Sequence, residues 1–328
     1  MPTMRDVARH AGVSMKSVSR VLNGEAHVRP QLRERVMAAV QALDYSPNLA
    51  ARQLAGHRSF IIAYPFNNPS AAYITDILMG AARTCRDRGY HLVSEPVELD
   101  DQMLPVIERL VTTLRPDGMM LTPPLCDMPS VVEHVARFGV PLVRIAGGLD
   151  LYGRSIVIDD RSISRAMVAH LVEQGHRRIG FVQPHPDHAL AQRRFDGYLD
   201  GLEEAGIEPE PALIRPGFFD IDSGIRAAEA LLDLPHPPTA IFASNDDMAL
   251  GAIQVAHNRR LSVPGNLAIA GFDDSTASRL AYPALTTVRQ PTQLLGAVAA
   301  TLLLGGELDP GAIRHELLIR ASTAAFSE

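Results

Sequence analysis

Two rhythms divide the chain. Over the first 45 residues apolar side chains recur at helical spacing, and beyond Phe60 short β-rich runs alternate with amphipathic stretches of helical period. In MRDVARHA (4–11), Val7, Ala8 and Ala11 share one face, and Gly12 then permits a tight turn before Val13. Ser14 is a natural N-cap for a second helix, MKSVSRVLN, which Gly24 ends. Val18, Val21 and Leu22 share its buried side, whereas Met15, Lys16, Ser19 and Arg20 share the other. After Pro30 a third helix carries Leu32, Val36, Ala39, Val40 and Leu43 as one stripe. Three short helices with a glycine turn between the first two predict a helix-turn-helix. The next stretch, SPNLAARQLAG (46–56), has Ser46 as a cap, Pro47 at the first helical position and Gly56 at the exit. At under about 12 residues it is too short to stay helical alone in water.

From Phe60 strands are predicted at 60–66, 90–95, 118–122, 140–146, 178–183, 239–244 and 267–272. Helices are predicted near 73–88, 101–114, 128–138, 162–175, 189–206, 222–234 and 246–259. This is the α/β pattern of parallel sheets covered on both faces. It is too long for one sheet of five or six strands, and the irregular stretch 147–162 reads as a crossing between two similar lobes. Ligands in such folds bind beyond the carboxyl ends of the strands, which two facing lobes turn into a cleft. The expected organisation is an all-α head at 1–45, a hinge helix and linker at 46–58 and a two-lobed body at 59–328. Its first lobe takes 59–160 and 290–319, its second 161–289 and 320–328.

Charge sharpens the division. Residues 1–58 hold nine Arg or Lys against four Asp or Glu, whereas the 328-residue chain as a whole carries −6. A basic head on an acidic body fits a segment that meets phosphates. The only Lys of the chain, Lys16, lies in that head. At 46% hydrophobic and 21% charged, the composition excludes a disordered chain. The longest weakly polar run, 294–306, falls short of the roughly 20 residues a membrane crossing needs. With no secretory signal at the N-terminus, the expected location is the cytoplasm. Cys85 and Cys126 match no metal spacing and read as reduced packing residues. The HPDH run at 185–188 lacks a third ligand at a recognised spacing, so it reads as a cleft-rim loop rather than a metal site, with His185 or His188 near a ligand. No GxSxG, Walker-type loop or GxGxxG occurs, so neither enzyme nor cofactor is expected.

The residues DVARHAGVSMKSVSRVLNGEAHVRPQLRERVMAAVQALDYSPNLAARQLAG resemble the DNA-binding head of the LacI/GalR family of transcription regulators, and the resemblance continues through GHRRIGFV, SNDDMALGA, VPGNLAIAGFDD and LTTVRQP. The body is also similar to periplasmic sugar-binding proteins, which lack the head. The resemblance implies that Met15, Lys16 and Arg20 read bases, and Arg20 suits bidentate contact with a guanine edge. Thr3, Ser14, Ser17 and Asn23 suit phosphates, with Ser19 and His27 in the same DNA-facing set. It further implies that Leu54 wedges into the minor groove, assisted by Asn48 and Ala51; the other reading of Leu54 is a linker residue packed on the body.

In the body, the resemblance implies an effector pocket that includes Arg194, Asn245, Asp273 and Gln290, with Phe219 stacking on a sugar face. Tyr73, Thr122 and Ile158 or Asp159 line the other lobe. Two plainer readings stand beside these: Asn245 as the cap of the following helix, and Arg194 as a surface ion pair. Asp274 reads as a structural partner. Where sugar-responsive relatives often carry a further acidic or polar group, this chain has Ala146. The expectation is a dimeric, operator-binding repressor released by a small carbohydrate; the alternative is a regulator that needs a purine or other co-repressor.

Overall fold

The computed structural model describes all residues except 1, 23–26, 46–57, 187, 190, 308, 310, 312 and 324–328. The chain divides into two compact units, Met1–Phe60 and Ile61–Glu328, two residues beyond the expected linker boundary. The expected hinge helix lies outside the described residues.

The first unit contains α1 (Met4–His10), α2 (Met15–Leu22) and α3 (Pro30–Ala42). Thr3 caps α1 in a reciprocal box with Asp6, and Gly12 makes the turn at φ +61°. Val7, Ala8, Ala11, Val18, Val21, Val36, Ala39 and Tyr45 form the buried core. Leu32, Val40 and Leu43 of the α3 stripe pack against it only partly buried. So small a core leaves much of each helix in water.

The second unit opens with β1 (Ile61–Phe66), α4 (Ala71–Asp87), β2 (His91–Pro96), α5 (Met103–Arg109), β3 (Gly118–Leu121), α6 (Pro129–Arg137), β4 (Leu142–Ile145) and β5 (Arg154–Ile156). The five strands form a parallel sheet in the order β2-β1-β3-β4-β5. Strand β5 lies inside the stretch expected to be irregular; at three residues with only Ile156 buried, it leaves too short a pattern to read. Alternation sends Ile62, Tyr64 and Met120 to one face and Ala63, Met119 and Leu121 to the other, both covered.

There follow α7 (Asp160–Glu173), β6 (Ile179–Val182), α8 (Gln192–Glu204), β7 (Ile214–Arg215), α9 (Ile221–Leu232), β8 (Ala240–Ala243), α10 (Asp246–Asn258), β9 (Ala268–Ala270) and α11 (Thr276–Leu280). Here the parallel order is β7-β6-β8-β9, with α7 and α8 over one face and α9 and α10 over the other. Strand β10 (Thr287–Arg289) continues from this sheet, and helix α12 (Thr292–Leu303) then returns to the first lobe beside α4. Close approach there requires glycine: a Cβ on Gly80 would meet the Gln293 carbonyl oxygen at 1.8 Å, and one on Gly296 the Ile77 oxygen at 2.1 Å.

Strand β11 (Glu316–Leu318) corrects the expected lobe boundary. It pairs antiparallel with β10, and Leu317 packs into the second lobe's core, so 316–318 do not belong with the first lobe. Among the described residues no helix is long and apolar enough to cross a membrane.

Candidate functional site

Helix α2 buries Val18 and Val21 and turns its other face outward. Met15, an apolar side chain, is 48% exposed, and Lys16 and Arg20 are exposed on the same side. The hydroxyls assigned to phosphates have local work as well. That of Ser14 accepts from the Ser17 N–H (3.1 Å) and lies 3.0 Å from the Ser17 hydroxyl, while that of Thr3 donates to Asp6 (2.7 Å). Ser19 is half-buried and His27 exposed. Asn23, Asn48, Ala51 and Leu54 lie outside the described residues.

In the body, the loops after successive strands converge on one cleft of about 470 Å³, partly open to solvent. The first lobe contributes Asn68, Ser70 and Tyr73 after β1, Pro123 after β3, Ala146 after β4 and Ile158 after β5. From the second lobe, whose first helix begins at Asp160, one residue before the expected boundary, come Asp160, His188, Arg194, Phe219, Asn245 and Asp273, and Gln290 lies on the crossing segment. The fold thus brings together Tyr73, Ile158, Arg194, Phe219, Asn245, Asp273 and Gln290.

Arg194 is the hub, and it is not a surface ion pair: its side chain is 8% exposed. Its Nε donates to Asp160 Oδ2 at 2.8 Å and an NH group to the Ser244 carbonyl at 2.5 Å, while its guanidinium lies over the Phe272 ring at 3.8 Å. A second carboxylate oxygen, from Asp273, is 4.0 Å away. Asn245 both caps α10, accepting from Met248 N–H at 2.9 Å, and donates to the Phe219 carbonyl at 3.0 Å. That second bond holds Phe219 at φ +61°, a strained conformation for an aromatic residue, with its ring in the cleft. Gln290 donates to Asp273 at 2.5 Å. Asp274 instead binds Arg289 at 2.8 Å and Arg320, away from the cleft, a structural partner as its position implied.

Burial sets the protonation states. It pushes the Asp273 carboxyl up to about 8 against the pull of Arg194, with nearby Asp246 adding to the rise. Burial alone would also raise Asp160, but the charge of Arg194 and the bond to His315 outweigh it and hold that carboxyl low. His188 is driven down to about 3 by burial and is neutral. The cleft at neutral pH therefore offers one ion pair, an Asp273 that can donate, and uncharged hydrogen-bonding groups.

Two expectations need correction. Thr122 does not line the cleft; it is fully buried, 3.0 Å from the Tyr64 hydroxyl. Asp159 folds back to cap α7 through the Ser162 N–H at 3.1 Å, and its neighbour Asp160, one helical step round, faces the cleft instead. Sequence reasoning also missed Asn68, Ser70, Pro123 and Ala191. The first three lie on the segments that follow β1 and β3, a signal the strand assignments already held. His188 lines the cleft as the rim-loop reading implied, and among the described residues no group of His, Cys, Asp or Glu is arranged to hold a metal.

Residues 3–48 match the bacterial regulatory proteins of the lacI family, and residues 168–323 a periplasmic binding protein-like domain. The HTH-type transcriptional repressor CytR of Escherichia coli (strain K12) is 32% identical over 99% of this chain and 97% of its own length. The probable HTH-type transcriptional repressor ExuR of Bacillus subtilis (strain 168) is 30% identical over 97% and 95%. The chain belongs to the LacI family. It is a transcriptional repressor of that family and not an enzyme. Its structure resembles that of a Lac repressor dimer bound to operator and the anti-inducer ONPF, with TM-score 0.78 and 28% identity over 99% of both chains. It also resembles a transcriptional regulator CelR–cellobiose complex, with TM-score 0.73 and 30% identity over 98% of this chain and all of that one.

Proposed function

We propose that this LacI-family repressor works in the cytoplasm, binding a near-palindromic operator as a dimer through the outward face of α2, and that a small carbohydrate bound between its lobes releases it. The observation that carries the reading is the convergence of Arg194, Asn245, Asp273 and Gln290 beside the Phe219 ring in one cleft. Donors, acceptors and an apolar face at that spacing suit a ring with several hydroxyls. Two half-sites read by two heads require two-fold symmetry. Support comes from the operator-bound Lac repressor dimer and the cellobiose complex of CelR as similar structures. Leu54, with Asn48 and Ala51, would enter the minor groove beside each head.

Release is a linkage: an effector that prefers one arrangement of the lobes weakens the operator-competent one, and a coupling of about 1–3 kcal/mol changes operator affinity roughly 5- to 150-fold. The test is fluorescence anisotropy on DNA from the gene's own upstream region at fixed salt, with mono- and disaccharides and purines added in turn. Release by a sugar is expected from the wild type and not from Asp273→Ala, with operator binding itself kept. Binding that appears only with an added metabolite makes that compound a co-repressor and reverses the sign.

A further inference from the structure

The effector reading leaves open what kind of carbohydrate the cleft admits. Its one strongly basic lining group among the described residues is Arg194, and the charge of that guanidinium is already matched. Asp160 Oδ2 takes its Nε, the Ser244 carbonyl takes one NH group, and the Phe272 ring covers a face. On its other side Asp160 faces a histidine. His315, the residue before β11, brings its Nε2 to 3.1 Å from Asp160 Oδ1, and its ring stands edge-on to Phe272 at 5.6 Å. Both side chains are about as buried as Arg194, at 4% and 5% exposed. Asp273 adds a second carboxyl 4.0 Å from the same arginine.

A carboxylate or phosphate entering this cleft finds no unmatched cation. It must displace Asp160 from Arg194, leaving a buried carboxylate stranded beside His315, or sit without a counter-charge beside the Asp160 carboxylate. A hydroxyl meets neither problem, because the remaining guanidinium N–H groups, Asn245, Gln290 and Asp273 bond neutral oxygen without moving a charge.

We propose that the His315–Asp160 pair, by occupying Arg194, makes the cleft select an uncharged polyhydroxylated ligand and reject its carboxylate and phosphate counterparts. Asp160 is then a specificity-determining residue, and His315, which does not line the cleft, a positioning residue that acts through it. The proposal rests on the reading of the cleft as a carbohydrate site.

The test titrates the full chain by calorimetry with glucose, galactose, xylose and cellobiose, and in parallel with glucuronate, galacturonate and glucose 6-phosphate. A neutral sugar is expected to bind, with its acid or phosphate weaker by about 100-fold or more. In Asp160→Asn the gap should narrow at least about tenfold, through gain by the anion. His315→Gln keeps a donor near Asp160 and is the milder variant should Asp160→Asn not fold; it should narrow the gap in the same direction by a smaller factor. An acid or phosphate that binds as tightly as its neutral counterpart overturns the selectivity and leaves the carbohydrate reading intact. A gap unchanged in a folded variant overturns the role of the pair. If no probe of either series binds, the carbohydrate reading fails and the proposal fails with it.

Discussion

Arg20 and Arg194 show how differently one residue type serves the two units. Arg20 stands exposed on α2, in a unit whose core is a handful of apolar side chains. Arg194 is enclosed by an acid, a carbonyl and an aromatic ring drawn from three separate stretches of chain. A recognition surface for a large charged polymer can be built from solvated side chains on a locally coded helix. A cleft for a small neutral molecule needs its charges paired and its water excluded before the ligand arrives.

Removing each arginine breaks or sharpens that contrast. Arg194→Met strands the Asp160 carboxylate in the interior and should cost about 3–5 kcal/mol of body stability, read by urea unfolding. A loss below about 1 kcal/mol would mean that the cleft charges are solvated after all. Because burial raises the folded pKa of Asp273, its contribution is fully present below the unfolded value near 4 and lost as pH rises through about 8. Asp273→Asn should therefore gain stability relative to wild type across that window, by at most about 1.4 kcal/mol per pH unit. Comparing the two proteins cancels the histidines, whose depressed values act in the opposite direction at lower pH. A flat difference would place the carboxyl in water.

On the head, Arg20→Met should leave unfolding within about 0.5 kcal/mol while operator affinity falls by about 1–3 kcal/mol at fixed salt. Equal loss across all DNA sequences would turn the expected base contact into a phosphate contact. The smallest effect is at the cap: Thr3→Ala should lower head stability by about 1 kcal/mol, detectable in its thermal midpoint. A larger fall in operator affinity than in stability would add a direct phosphate contact to its capping role.

Legibility followed the same line. The α1–α3 pattern was readable because capping, turn and stripe signals all act within one or two helical turns. The βαβ rhythm was readable because parallel strands buried on both faces form short apolar runs. Strands β5, β7, β10 and β11 carry only two or three residues each and stand out by no local pattern. Asp159 was expected in the cleft as the alternative to Ile158 that the resemblance implied; the fold puts Ile158 and Asp160 there and leaves Asp159 as the cap of helix α7. Nothing around His315 in sequence points to Asp160, 155 positions earlier; only the β10–β11 ladder brings that segment back.

By itself, the sequence determined the helix-turn-helix, the outward face of α2 and the α/β character of the body, since each depends on residue types repeated at short spacing. Tertiary structure alone decided which polar groups the cleft keeps, that Thr122 is buried beside the Tyr64 hydroxyl, and that Arg194 is neutralised by Asp160. Burial and pairing of charge depend on chain segments distant in sequence, and the cost of burying a charge is set by what surrounds it on every side.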